Sequence, residues 1–201
     1  MRYHEVMKQA TIISLALLAM PPGGLSAAAL TTGIDEQAQL PYWEIRDEGM
    51  SLRLVQRMPD QSRAFFLARG FSADEVEQVA GRCVFQTVFR NISHETQPAP
   101  LHYRQQDWTV QHRDRDASIL TREDWARLWE REDAAPAARI AFQWALLPAE
   151  QTYEAGDYNW GMTMIDLPPG SRFKLEVSWE QFGETRTFLI EDLQCASDQP
   201  V

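Results

Sequence analysis

The sequence predicts a mainly β protein, an antiparallel β-sandwich that is Ig-like in broad architecture and carries two or three short helices. Several short segments alternate apolar and polar residues, as strands with one buried face do. Turns rich in Pro, Gly and Asn separate these segments. The two cysteines, Cys83 and Cys195, lie in an early strand-like segment and near the end of the chain. We therefore expect a sandwich of about seven to nine strands.

The start of the chain has the features of a secretory signal peptide. Arg2 and Lys8 precede an uncharged apolar run at 10–20, and small residues follow at 26–29. A basic start, a short apolar run and an Ala-x-Ala-like site are typical of an export signal that is cleaved. The run is also too short for a stable membrane anchor. We expect a periplasmic or secreted protein that is not inserted in a membrane after signal cleavage.

These features predict three segments: a signal peptide at 1–28, a flexible N-terminal segment at 29–40 and a single sandwich domain at 41–201. Removal of the signal peptide leaves 17 basic and 28 acidic residues, a net charge of about −11. Nucleic acid and anionic lipid surfaces repel such a chain, so neither is expected as a main partner.

The first half of the domain is predicted to contain three strands and two helices. The strands are expected at 41–47, at 50–57 as a plausible edge strand, and at 83–91 as a central strand; a short helix is expected at 61–70. A second helix starts after Ser72, because Ser72 and Glu75 have the spacing of a capping box.

The second half is predicted to return to strands around one further helix. Strands are expected at 101–111, 139–147 and 185–190. Thr121 caps the helix, and Trp125, Leu128 and Trp129 form its apolar side. The acidic residues around this helix are expected to form a solvated face.

A hairpin is predicted near the end of the chain. Residues 158–165 and 172–179 both alternate with the period of a strand, and the second does so without error. Pro168, Pro169 and Gly170 lie between them and form a turn that can fold one strand beside the other.

The two cysteines predict a disulfide bond, since an exported chain matures where disulfides persist. A Cys83–Cys195 bond would close a loop of roughly 110 residues and stabilise the fold by of order 4 kcal/mol. A redox pair or a thiolate metal site is the alternative, but the chain has no Cys-x-x-Cys motif.

Trp160, Met162 and Met164 lie two apart and therefore share one face of a strand. This run resembles the Met-Thr-Met element with a nearby Trp in small periplasmic copper-efflux metallochaperones. The resemblance implies a Cu(I) site in which Met162 and Met164 are ligands, Trp160 caps the ion and one histidine is the third ligand, with His102 as the candidate and His94 or His112 as alternatives. Soft thioether sulfur favours Cu(I). The alternative is ordinary core packing, since Met fills irregular core gaps.

No motif of hydrolases, metalloproteases or phosphate-binding enzymes is found in the sequence. We therefore expect an exported, non-enzymatic binding or accessory protein that acts through a protein partner and needs no cofactor. A Cu(I)-binding chaperone or sensor is the alternative. A hydrolase of unknown type is a third possibility, because catalytic residues need not be neighbours in the sequence.

Overall fold

The computed structural model describes residues 28–198, so the predicted signal peptide lies outside the described residues except for Ala28. Two antiparallel sheets pack face to face, and four helices lie on the outside of one of them. The predicted antiparallel sandwich is confirmed. It has eleven strands and four helices in the described residues, more of each than expected.

Sheet 1 has five strands in the order β1-β2-β3-β4-β9. Their bounds are β1 (Ala29–Ile34), β2 (Pro41–Arg46), β3 (Met50–Gln56), β4 (Cys83–Asn91) and β9 (Tyr158–Ile165). The predicted central strand β4 is confirmed, whereas β3 lies inside the sheet and not at its edge. The prediction that residues 29–40 are flexible is wrong for β1, because its backbone pairs with β2 along its whole length.

Sheet 2 is built around the long strand β10 (Arg172–Gln181). One edge of β10 pairs with β11 (Glu184–Gln194), and the other pairs in turn with two shorter strands, β6 (Thr109–His112) and β5 (Leu101–Arg104). The outer strands are β7 (Arg115–Ala117) and β8 (Glu150–Tyr153). The single strand predicted at 101–111 is thus divided in two by a 3-10 turn at Gln105–Asp107.

The predicted hairpin at 158–179 is wrong. Its first strand, β9, pairs with β4 in sheet 1, and its second, β10, belongs to sheet 2. The turn at Pro168–Gly170 therefore connects the two sheets. The alternation in each strand was assigned correctly, but alternation shows only that one face of a strand is buried and does not identify the neighbouring strand.

The four helices are α1 (Pro59–Leu67), α2 (Ala73–Ala80), α3 (Arg122–Arg131) and α4 (Pro136–Ala145). The capping box of Ser72 and Glu75 at α2 is confirmed, and Thr121 caps α3 by accepting a hydrogen bond from the Asp124 N–H. The strand predicted at 139–147 is wrong, because most of this segment belongs to α4.

Two apolar cores lie on opposite sides of sheet 1. The inner core, between the sheets, contains Phe85, Phe89, Trp179 and the Cys83–Cys195 disulfide, whose Cα atoms are 5.2 Å apart. The predicted disulfide is thus present in the structure, and such a bond is typical of proteins outside reducing compartments. The outer core lies between sheet 1 and the helices.

Trp125 and Trp129 of α3 are buried in the outer core, where their rings stack with centroids 5.1 Å apart. The predicted apolar side of this helix is confirmed. Glu123, Glu130 and Glu132 are exposed, as expected for a solvated face.

Candidate functional site

The helices cover only part of the outer face of sheet 1. Strand pairing places the outward-facing residues in rows that cross the sheet, and the row that contains Met162 lies next to the helices. The helices do not cover the next two rows. We call them the open face, and their residues are Thr31, Glu44, Arg53, Val88 and Trp160, followed by Ala29, Arg46, Ser51, Arg90 and Tyr158.

Two aromatic side chains of β9 form one end of the open face. Trp160 is 59% exposed and Tyr158 is 51% exposed, although Met162, two residues further along the same strand face, is buried. The Arg90 guanidinium lies 4.6 Å from the centroid of the Tyr158 ring. A cation over an aromatic face attracts the ring quadrupole and holds both groups in place. The open face therefore presents an aromatic surface that is partly fixed.

The end of α4 lies beside β9 at this point. The Leu147 N–H donates a 3.0 Å hydrogen bond to the Met162 carbonyl, and Leu146 forms a parallel bridge with Met162. Gly161 permits this approach, because a Cβ there would lie 2.6 Å from the Leu146 carbonyl carbon. Trp144, at the end of α4, is 79% exposed. An exposed indole is thus present on α4 as well as on β9.

The middle of the open face contains paired charges. Arg53 forms ion pairs of 2.9 Å with Glu44 and 3.0 Å with Asp35, and its guanidinium lies 3.6 Å from the Tyr42 ring centroid. Hydrogen bonds from the Ala38 backbone and from Arg53 lower the pKa of Asp35. Burial of Glu44 opposes its charge, but hydrogen bonds from arginines and Ser51 outweigh burial and lower the pKa of Glu44. Both carboxylates are ionised at neutral pH.

A cleft of about 520 Å³ lies between the open face, the turn after β1 and the start of α1. Its lining includes Arg53, Arg57, Gln61, Gln86 and Val88. Arg57 donates a 3.1 Å hydrogen bond from Nη2 to the Gln61 carbonyl, while its buried Nε has no hydrogen-bond partner within residues 28–198. Burial, with a smaller contribution from Arg69, lowers the pKa of Arg57. The cleft thus holds a cation with no paired carboxylate among these residues.

The residues proposed to bind Cu(I) do not come together. Met162 and Met164 are buried in the outer core beneath the helices. His102 lies on β5 of sheet 2, between two residues of the inner core, so its side chain is on the outer side of that sheet. There it contacts Thr152 and Glu150. The Cu(I) site implied by the metallochaperone resemblance is therefore not formed, and the two methionines are core residues.

The assignment of 139–147 as a strand does not predict the exposure of Trp144. In that assignment Trp144 shared a buried face with Ile140, Phe142 and Leu146, but in the helix only Phe142 of the residues 140–144 is buried. Two features of the sequence indicate the helix. Pro136 lies at the first turn, and Ala138, Phe142 and Ala145 have helical spacing.

Within the described part of the chain, no group of three or more His, Cys, Asp and Glu side chains could hold a metal ion. The same residues include no helix that is long and apolar enough to cross a membrane.

No family model and no curated protein matches the chain. Among solved structures, the chain is similar to a candidate lipoprotein, YcdA, from Bacillus subtilis, with 12% identity and a TM-score of 0.33. The match covers 83% of this chain but 35% of YcdA, so the chain spans about a third of the length of that protein. A similarity this low carries no argument about fold or function.

Proposed function

We propose that the protein is an exported, non-enzymatic binding module and that a protein partner docks on the open face. The exposed Trp160 is the main observation behind this proposal. Large aromatic side chains are enriched at protein interfaces, where their burial contributes much of the binding energy. The Trp160 indole is in contact with solvent, although Met162 and Met164 on the same face of β9 are buried.

Two further features support docking on this side of the molecule. Ile140 and Trp144 lie about one turn apart on α4 and are 61% and 79% exposed, so the helix carries an exposed apolar pair of its own. Exposed apolar residues that lie together often mark interaction sites, whereas single exposed residues are common and need no explanation. The outer side of sheet 2 is mostly polar by comparison, with Lys174, Glu176 and Ser178 along its central strand.

The test compares partner capture by three forms of the oxidised protein lacking residues 1–28: the wild type, Trp160→Ala and Leu189→Ala. Leu189 is 40% exposed on β11 of sheet 2 and controls for the loss of an exposed apolar side chain elsewhere. We expect the wild type and Leu189→Ala to retain a specific periplasmic protein that Trp160→Ala loses. Equal capture by all three forms, or no specific capture by any, would refute docking through Trp160.

The dissociation constant of the captured protein should then be measured with the purified variants. Truncation of a central aromatic residue at an interface costs about 2 kcal/mol or more. We expect Trp160→Ala to weaken binding by about thirtyfold at that cost. A change below about threefold would place Trp160 outside the interface core.

A further inference from the structure

The charge of the open face and its cleft is opposite in sign to that of the protein. The 201-residue sequence has a formal net charge of −10. The open face and cleft contain four arginines, Arg46, Arg53, Arg57 and Arg90, and their carboxylates are Asp35 and Glu44. The open face and its cleft therefore contain two more arginines than carboxylates, and one of these arginines, Arg90, contacts the exposed Tyr158 ring.

Two of these arginines have no carboxylate partner among residues 28–198. Asp35 and Glu44 are already occupied by Arg53 and Arg46. Arg90 is exposed and contacts the Tyr158 ring, and Arg57 contacts the Gln61 carbonyl and the Phe65 ring. A half-buried guanidinium without a paired anion loses hydration that a carboxylate could replace with charge-assisted hydrogen bonds.

The positions of these groups match an extended segment. Arg53, Val88 and Trp160 lie side by side in one row, and Arg90 and Tyr158 lie in the next row. Arg57 and Gln61 line the cleft at the side where the helices begin. A bound segment could thus place an apolar side chain on Trp160 and carboxylates on both sides of it.

We propose that the open face binds an acidic segment of its partner, in which carboxylates pair with Arg57 and Arg90 and an apolar side chain packs on Trp160. The inference rests on the proposed docking function and adds the chemistry of the partner. Complementary charge would also direct the partner to this face, since much of the remaining surface repels acidic segments.

The test uses two N-acetylated, C-amidated pentapeptides, Glu-Glu-Leu-Glu-Glu and Gln-Gln-Leu-Gln-Gln, added to the oxidised protein lacking residues 1–28. Chemical shifts of tryptophan indole N–H and arginine Nε–H groups report binding, and Trp160→Phe assigns the Trp160 signal. We expect saturable shifts of the Trp160 and Arg90 signals with the acidic peptide only. Higher salt should weaken this binding, because exposed ion pairs are screened.

Three charge variants make the test specific. We expect Arg57→Gln and Arg90→Gln each to weaken binding of the acidic peptide by about tenfold, the loss of one charge-assisted contact. Arg104→Gln removes the same charge from the outer side of sheet 2, where Arg104 pairs with Asp107, and should leave binding unchanged. The urea midpoint of each variant shows whether it is folded. Arg90 is exposed and Arg57 is partly buried, so Arg90→Gln should disturb folding less than Arg57→Gln.

The inference is overturned if both peptides bind equally, if neither binds, or if Arg104→Gln weakens binding as much as Arg90→Gln. The outcome for the proposed function is separate. A partner whose capture depends on Trp160 would support docking even if the acidic peptide fails. Conversely, the acidic peptide could bind selectively while Trp160→Ala leaves partner capture unchanged. That result would support the carboxylate chemistry and refute docking through Trp160.

Discussion

Gly161 permits the close approach of Leu146 and Leu147, the segment that follows α4, to β9, so Gly161→Ala should destabilise the protein at the candidate site. An added Cβ would lie 2.6 Å from the Leu146 carbonyl carbon and 2.7 Å from the Leu147 Cα. Both atoms are backbone, so no side-chain rotation can relieve the contact. The segment after α4 must move away, and the 3.0 Å hydrogen bond from the Leu147 N–H to the Met162 carbonyl would be weakened or lost.

The expected loss of unfolding free energy is about 2–4 kcal/mol. Overpacking of a closely packed site costs about 1–3 kcal/mol, and loss of a hydrogen bond adds about 1 kcal/mol. The matched control is Gly170→Ala, where φ is +79° and, among residues 28–198 other than Gly170 and its two chain neighbours, no atom lies within 4 Å of the added Cβ. That variant should lose only about 1 kcal/mol through backbone strain. Alanine restricts the unfolded chain in both variants, so this effect largely cancels.

Urea unfolding of the oxidised proteins, followed by far-UV circular dichroism, measures both free energies. We expect Gly161→Ala to have the lower midpoint with an unchanged dependence on urea, which indicates a change in stability alone. If Gly161→Ala is no less stable than Gly170→Ala, the close approach of the chain to β9 does not constrain this position. The account of how α4 is held at the site would then be wrong.

Three further predictions concern the scaffold. Replacing Cys83 and Cys195 by Ala should lower the unfolding free energy by up to about 5 kcal/mol, because the bond spans 112 residues; urea midpoints that match the oxidised wild type would contradict this. Asn91→Ala should cost about 3–5 kcal/mol by the same assay, because the buried Asn91 side chain donates to two backbone carbonyls and accepts two hydrogen bonds. The third concerns pH: Asp35 and Glu44 have pKa values below their ordinary 3.8 and 4.5, so their stabilisation is complete above those values and is lost as pH falls through the lowered values. The stability difference between wild type and Glu44→Gln should therefore shrink as pH falls below about 4.5 and through the lowered pKa of Glu44, and a constant difference would refute the assignment.

Much of the local structure could be predicted from the sequence. Ser72 and Glu75 cap α2 as predicted, because a capping box depends on residues three apart. The strand at Cys83–Asn91 is also predicted correctly, since apolar residues on both of its faces are visible within nine residues. The pairing of strands could not be predicted in the same way. β9 pairs with β4, so Met164 lies opposite Val84, and nothing near either residue specifies the other.

Residues 139–147 show how two periods can compete within one segment. Ile140, Phe142, Trp144 and Leu146 alternate as in a strand, while Ala138 and Phe142 are spaced as in a helix. The helix forms because Pro136 starts it and Phe142 packs against Phe66 in the outer core, with ring centroids 4.7 Å apart. The wider context decides between the two periods, and with it whether Trp144 is buried or exposed.

The position of the candidate site also depends on contacts between distant parts of the chain. Trp160, Met162 and Met164 share one face of β9 and look equivalent in the sequence, as a metal site or as a core. The helices cover this face as far as Met162 and leave Trp160 exposed. The edge of the helical layer is set by contacts between distant segments, such as the meeting of Leu146 and Met162 beside Gly161. A glycine inside a strand is the local sign of such an approach, so Gly161 could have indicated where the covered part of the strand ends.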